Sequence, residues 1–354
     1  MTLSGKKTEG KNRDEHFPVV VYVVFLLITV LIFCFCVGVG SVRVPLTQTI
    51  RIIVNALRGA EQLAEDRMYT SILLSVRLPR VLCVALSGAA LSLSGAAMQG
   101  LLKNPLADGS TLGVSTGASL GAVLAIAFDL TVPFLSFAGP MPMAMLSGFL
   151  SMIFILALAF RIDHSLSTNT IILMGIIFSM FIHSLISLIM TLAPDRTKHY
   201  TFWTMGSLAG TVYRDALLLT VALVICGGLI FFHATELNAF AIGEENARNI
   251  GINVRRVRLT ILVAVSAMIG VCVSVGGTIG FAGLVTPHMV RFFTGSNHRR
   301  LLPATLFGGA SFLMMTDLVA RVILSPLELP IGVVTSFIGA PLFVWIFYRR
   351  RGSA

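Results

Sequence analysis

Ten runs of mostly apolar residues, separated by short polar links, dominate this 354-residue sequence. An α-helix needs roughly 17–25 such residues to cross about 30 Å of hydrocarbon, and runs of this length are typical of helices rather than of barrel strands. The ten runs fall at 18–40, 81–102, 111–128, 141–160, 169–192, 215–233, 259–275, 279–292, 303–324 and 331–348. The sequence therefore predicts an all-α polytopic membrane protein with ten transmembrane helices.

The charged residues predict how these helices are oriented. With 56% hydrophobic and only 12% charged residues, the chain cannot have the surface of a soluble globular protein. Its net charge of +10 comes mostly from links between apolar runs, so membrane orientation explains it better than nucleic-acid binding. An even number of spans places both basic ends in the cytoplasm. We expect residues 1–17 to be a cytoplasmic tail and residues 18–354 to form a single transmembrane domain.

One polar stretch, residues 235–258, interrupts the apolar runs near the middle of the chain and falls on the cytoplasmic side in this topology. Asn238 is predicted to cap a helix that begins at Ala239, and Gly243 to break the chain before a second helix over residues 244–250. Gly251 would close that second helix. The stretch is either an ordinary loop on the membrane surface or a docking surface for a soluble partner. Its predicted apolar side consists of Leu237, Phe240, Ala247 and Ile250.

Arginines are concentrated in the predicted first outer loop, where basic residues are not expected. They either anchor the loop to the membrane surface or bind an acidic soluble partner, because guanidinium groups bind carboxylates through paired hydrogen bonds. Asp317 and Arg321, four residues apart with the acid first, are predicted to form a helical ion pair near the same surface. The loop arginines are Arg43, Arg51, Arg58, Arg67, Arg77 and Arg80.

Small residues recur every four positions in three of the runs, which predicts close helix packing inside a bundle. His183 lies in the middle of the fifth run and is either a hydrogen-bonded interior residue or a residue beside a substrate path. The three rows of small residues are Gly88, Ser92, Ala96 and Gly100, then Gly113, Gly117 and Gly121, then Gly332, Ser336 and Ala340.

Several motifs are absent from the sequence. It has no phosphate-binding loop of the G-x-x-x-x-G-K-[ST] type, so the chain is not expected to hydrolyse ATP. No hydrolase motif or clustered Cys/His site occurs either. A membrane enzyme or scaffold, and a secondary carrier that uses an ion gradient, are the rival classes to a transporter subunit that depends on a separate ATPase.

Motifs along nearly the whole chain resemble the FecCD family of ABC importer permeases, which import ferric siderophores, haem and vitamin B12. They include Arg77-Leu-Pro-Arg80, AIGEENARNIGINV at 241–254, GGTIGFAGLVTPHMVR at 276–291, DLVAR at 317–321 and ELPIGVVTSFIGAPLFVWI at 328–346. The longest is SGAALSLSGAAMQGLLKNPLADGSTLGVSTGASLGAV at 87–123.

The resemblance implies a type II ABC importer permease in a bacterial cytoplasmic membrane. A second permease subunit, identical or different, two ATPase subunits and an extracytoplasmic binding protein would be its partners. The chain would bind no cofactor, and the ATPase would use ATP and Mg²⁺. Ferric siderophore is the first choice of cargo, with haem, cobalamin or another metal chelate as alternatives.

The resemblance also implies roles for individual residues. Arg77, Arg80 and Arg321 would contact the binding protein. His183, Ser187, Gly332 and Ser336 would border the translocation path. Residues 235–258 would form a coupling segment that contacts the ATPase and includes Gly243, Glu244, Glu245, Ala247, Arg248, Ile250 and Gly251.

Overall fold

The computed structural model describes residues 19–40, 42, 44–60, 66–130, 139–164 and 166–351, and this part of the chain is helical without strands. The predicted tail at 1–17 and Arg43 lie outside the described residues. The longer helices are α1 (Val19–Gly38), α2 (Leu46–Arg58), α4 (Leu78–Leu101), α5 (Val114–Phe128), α6 (Met141–Ile162), α7 (Thr168–Leu192), α9 (Tyr213–Phe232), α12 (Val254–Gly276), α13 (Ala282–Thr294), α14 (His298–Val322) and α15 (Ile331–Arg351). The shorter ones are α3 (Arg67–Thr70), α8 (Thr197–Thr204), α10 (Ala234–Ile242) and α11 (Glu244–Asn249), and a π-helix at Ser71–Arg77 leads from α3 into α4.

Each of the ten predicted apolar runs overlaps one of these helices, but the count of ten transmembrane helices is not confirmed. Within the described residues, seven helical segments are long and apolar enough to cross a membrane. The other three are shorter: α5 has 15 residues, α13 has 13, and the apolar part of α15 is Ile331–Ile346. Helix α5 is short because a 3₁₀ turn at Gly109–Leu112 delays its start. Gly113, with φ of 70°, follows that turn and directly precedes the helix.

Helix α4 lies at the centre of the bundle, packed against α9, α12, α13 and α14. Nearly all of its side chains are buried, as its small residues predicted. A Cβ atom on Gly88 would overlap the carbonyl oxygen of Gly309 in α14. Ser92, one turn further on, donates a hydrogen bond of 3.1 Å to the carbonyl oxygen of Ala282. Glycine at positions 88 and 309 lets the backbones of α4 and α14 touch.

We expect Gly88→Ala to destabilise the protein by about 1–3 kcal/mol, because the added methyl group has to push α4 away from α14. Gly270→Ala in α12 is the matched control, since a Cβ there would meet no atom within 4 Å. That substitution should be neutral or stabilise by up to about 1 kcal/mol through helix propensity. Thermal unfolding of the two purified variants checks the pair, and equal melting temperatures would contradict the packing argument.

Candidate functional site

The polar stretch between α9 and α12 folds into the two short helices α10 and α11. Gly243 separates them with φ of 143°, and Gly251 follows α11 with φ of 89°, so both predicted glycine breaks are confirmed. The predicted cap at Asn238 is wrong, because α10 already begins at Ala234. Only His233 lies between α9 and α10, and no glycine or proline there delays the new helix to Ala239.

Asn238 instead joins α10 to the start of α14. Its side-chain oxygen accepts hydrogen bonds from the backbone N–H of His298 at 2.7 Å and from His298 Nδ1 at 2.9 Å. Its amide nitrogen donates to Asn297 Oδ1 at 2.9 Å. A further bond, from Arg299 Nε to Thr235 Oγ1, measures 3.1 Å. These contacts attach α10 to the N-terminal end of α14.

The second short helix is attached through Arg258, which lies in the second turn of α12. Its guanidinium forms an ion pair with the carboxylate of Glu244, the first residue of α11. The same guanidinium donates to the carbonyl oxygen of Leu166, between α6 and α7. The Arg258 side chain is only 1% exposed. One buried cation therefore connects α11, α12 and the link between α6 and α7.

Sequence reasoning missed this role of Arg258, which it treated as the last residue of the polar stretch. An arginine four residues into a long apolar helix needs a partner, because burying an unpaired charge is costly. That cost is the signal that could have revealed the role of Arg258. Its partner Glu244 was among the predicted coupling residues, while Leu166 gave no signal.

We use the name coupling segment for the two helices α10 and α11 (234–251). This segment has one buried face and one exposed face. Leu237, Phe240 and Ala247 are buried as predicted. Ile250 was expected on that side but is 71% exposed, because α11 ends at Asn249 and Ile250 lies in the turn beyond it. The exposed face includes Ile242, Glu245, Arg248 and Ile250.

A second cluster of charges lies at the opposite end of α14. Asp317 Oδ1 accepts hydrogen bonds from Arg80 Nε at 3.1 Å and Nη2 at 2.9 Å. Arg321 Nε lies 2.9 Å from Asp317 Oδ2, which confirms the predicted ion pair. Arg80 also binds Glu328 at 2.7 Å. Both guanidiniums share the carboxylate of Asp317, which is 1% exposed.

Two arginines of this end also bind the backbone carbonyls at the C-terminal end of α1. Arg321 donates to the carbonyl oxygens of Cys36 and Val39, each at 3.2 Å. Arg77 donates to that of Gly38 at 3.0 Å. A cation there satisfies carbonyls that have no partner within the helix and complements the helix dipole.

Docking of a binding protein on Arg77, Arg80 and Arg321 stays a prediction, since all three are buried in contacts within this chain. Arg51 is also engaged, through two bonds of 2.8 Å to Asp66. Arg58 and Arg67 of the same loop are exposed.

The predicted path residues fall into two groups. Gly332 and Ser336 line one cavity of about 610 Å³ together with Thr204, Met205 and Thr278. His183 and Ser187 do not line this cavity and are exposed on α7, so His183 is not a buried interior residue of this chain. A neighbouring cavity of about 1100 Å³ lies between the start of α6, α8, the start of α9 and the end of α12.

A network that the sequence did not predict holds the link between α4 and α5. His288 Nε2 lies 2.9 Å from the carbonyl oxygen of Pro105, and its Nδ1 lies 3.4 Å from Arg291 Nη1. Arg291 donates to Gln99 Oε1 at 2.6 Å. The described residues contain no group of three or more His, Cys, Asp or Glu side chains that could hold a metal ion.

Comparisons of the sequence and of the structure with known proteins all point to the same class of protein. The family model described as the FecCD transport family matches residues 27–349. An ABC transporter permease protein of Bacillus subtilis, YvrB, is 39% identical over 328 residues, 92% of each chain. The hemin transport system permease protein HmuU of Yersinia pestis is 36% identical over 78% of this chain and 83% of its own. A solved structure described as a metal-chelate type ABC transporter in an inward-facing conformation superposes with a TM-score of 0.82 at 28% identity, covering 94% of this chain and all of that one.

Proposed function

The chain belongs to the FecCD transport family, and on that basis we propose that it forms the membrane path of an ATP-driven importer for a ferric siderophore. As a permease subunit it is a transport component rather than an enzyme. Ferric siderophore is the first choice of cargo that the family resemblance implies. Haem, cobalamin or another metal chelate are the alternatives, and the names of HmuU and of the solved relative support that wider class.

The observation that carries the proposal is the way in which the coupling segment is attached. Asn238 ties α10 to α14, and Arg258 ties α11 to α12 and to the link between α6 and α7. A force on the exposed face therefore reaches several membrane helices through these hydrogen bonds and this ion pair. In the proposed mechanism, ATP closes two partner ATPase subunits, and this segment transmits the closure to alternating gates.

The cavities at the other end of the bundle suit a cargo that has to be released again. They combine hydroxyl groups, such as those of Thr204, Thr278 and Ser336, with apolar side chains such as Phe337. Such a lining admits a large chelate through many weak contacts rather than one tight site. We propose that these cavities border the path, with an extracytoplasmic binding protein delivering the cargo above them.

Replacing the two exposed isoleucines of the coupling segment should separate this subunit from its ATPase. Ile242 is 76% exposed and Ile250 71% exposed, so Ile242→Asp with Ile250→Asp should leave the fold intact. A charged residue inside a buried interface costs several kcal/mol, so we expect at least a tenfold loss of ATPase co-purification and of ATP-driven uptake.

Val24→Asp with Leu31→Asp is unsuitable as a control. These exposed residues lie within the predicted membrane span α1, where an added charge would itself destabilise the protein. Thr47→Asp with Ala56→Asp in α2 is the matched control, because it adds the same two charges at exposed positions of the predicted first outer loop, away from the coupling segment. Full ATPase binding by the isoleucine double variant would refute the docking role. Uptake that continues without ATPase and stops when the ion gradient collapses would favour a secondary carrier.

The cargo is tested separately. The importer, reconstituted with its own binding protein, is supplied in turn with labelled ferric siderophore, haem and cobalamin. We expect ATP-dependent accumulation of the siderophore, and accumulation of haem or cobalamin instead would replace the proposed cargo while keeping the importer class.

A further inference from the structure

We propose that the junction of α6 and α12 binds the headgroup of an anionic phospholipid. This site lies at the same end of the molecule as the coupling segment, because the link from α6 to α7 contacts Arg258. It is formed by the last turn of α6 and the first turn of α12, and its central residues are Phe160, Arg161, Arg255 and Arg256.

The first argument is the state of the three arginines. Arg161, Arg255 and Arg256 are exposed, and among the described residues none of them forms an ion pair with a carboxylate. The acids nearby are engaged elsewhere: Glu244 pairs with Arg258, and Asp163 accepts a hydrogen bond of 3.0 Å from the backbone N–H of Ser167. The junction therefore offers guanidinium donors to an external anion.

The second argument is the position of Arg255. Its guanidinium lies 4.6 Å from the centre of the Phe160 ring, within range of a cation–π interaction. His164 stacks on the same ring, with centres 4.8 Å apart. Since an aromatic ring holds the guanidinium by its face, the N–H groups stay available. Arg161 follows Phe160 in the chain, so the last turn of α6 adds a second exposed cation to the junction.

The third argument is an apolar stripe that leads to the cations. Along α6, exposed apolar side chains recur every three or four residues, which places them on one face of the helix. The stripe ends at Arg161 and contains Leu146, Leu150, Ile153 and Ala157. Acyl chains lying along this stripe would bring a phosphate to Arg161 and Arg255. Basic sites at the cytoplasmic ends of transmembrane helices are suited to anionic headgroups.

The same stripe favours a lipid over a soluble partner at these arginines. Apolar exposure continues to Ile162, 60% exposed, at the very end of α6. A soluble ATPase would leave that stripe uncovered, whereas a phospholipid covers the stripe and the cations together. The site is independent of the proposed cargo.

The experiment measures which lipids stay bound to the importer complex. The complex is extracted from vesicles of equal parts phosphatidylglycerol and phosphatidylcholine, and the retained lipids are counted by mass spectrometry. We expect a preference for phosphatidylglycerol that falls roughly tenfold in Arg161→Gln with Arg255→Gln, since each cation near the surface contributes substantially to binding. Phe160→Leu, which removes only the ring, should lower the preference by a smaller factor.

Arg58→Gln with Arg67→Gln removes the same charge from exposed positions of the first outer loop and should keep the preference. Equal retention of the two lipids by the unchanged complex would overturn the site, as would an unchanged preference in the Arg161/Arg255 variant. A variant that keeps its lipid preference but loses the ATPase would assign these arginines to the partner protein instead.

Discussion

Arg258→Met is expected to abolish ATP-driven uptake and to lower the free energy of unfolding by about 3 kcal/mol. The arginine is almost fully buried and forms both the ion pair with Glu244 and the contact to the carbonyl oxygen of Leu166. Methionine fills a similar volume, but it leaves the carboxylate of Glu244 and a carbonyl group without their partner. Of the polar attachments described above, the coupling segment would then keep those that join α10 to the start of α14.

Three further variants distinguish the loss of this junction from a general loss of charge. Glu244→Gln should also be destabilising, because it leaves the buried guanidinium of Arg258 without its carboxylate while the contact with Leu166 remains. The double variant should cost less than the sum, since the two residues act as one pair. Arg256→Gln, an exposed neighbour in the same turn, is the control. Thermal unfolding and ATPase-coupled uptake are measured together, and wild-type values for Arg258→Met would refute the role of the junction.

The junction also revises what a substitution at Glu244 can report. The family resemblance implied that Glu244 contacts the ATPase, whereas in the structure its carboxylate forms an ion pair with Arg258. A charge reversal at Glu244 would place two cations together and disturb the segment from inside. Glu245, which is exposed on the same helix, tests the outer surface without that effect.

Local patterns in the sequence predicted the helices and their breaks. Apolar runs, the glycines at 243 and 251 and the small-residue row of α4 depend on neighbours a few residues apart, so they can be read directly. Ile250 was misplaced because a helix periodicity was extended one residue past the end of α11. Asn238 was misplaced because a capping residue was read without its tertiary partners, Asn297 and His298.

The contacts of the buried arginines could not be predicted in the same way, because most of them join residues far apart in the chain. Arg80 and Glu328 are separated by 248 positions, and Arg258 and Leu166 by 92. Asp317 and Arg321 were predicted because they share one helix face. The sequence shows that a buried charge needs a partner, but only the packing of helices shows which one.

Asp317→Asn is expected to be the most destabilising single change at the opposite end of the bundle. The substitution keeps the shape of the side chain and removes the carboxylate that contacts both Arg80 and Arg321. Two nearly buried guanidiniums would then face each other with less compensation. Breaking a buried ion pair typically costs about 3–5 kcal/mol. We also expect the hydrogen bonds from Arg321 to the carbonyl oxygens of Cys36 and Val39 to weaken when Asp317 no longer orients its guanidinium.

Glu328→Gln is the matched control, because it removes a carboxylate of the same cluster whose side chain is 34% exposed while Arg80 keeps Asp317. Its cost should stay near 1 kcal/mol. Unfolding of the purified complex and affinity for the binding protein are measured on both variants. A stable Asp317→Asn protein that no longer binds its binding protein would show that these arginines open outward to dock. A destabilised protein whose folded fraction still binds normally would establish that the cluster serves to hold α1, α4 and α14 together.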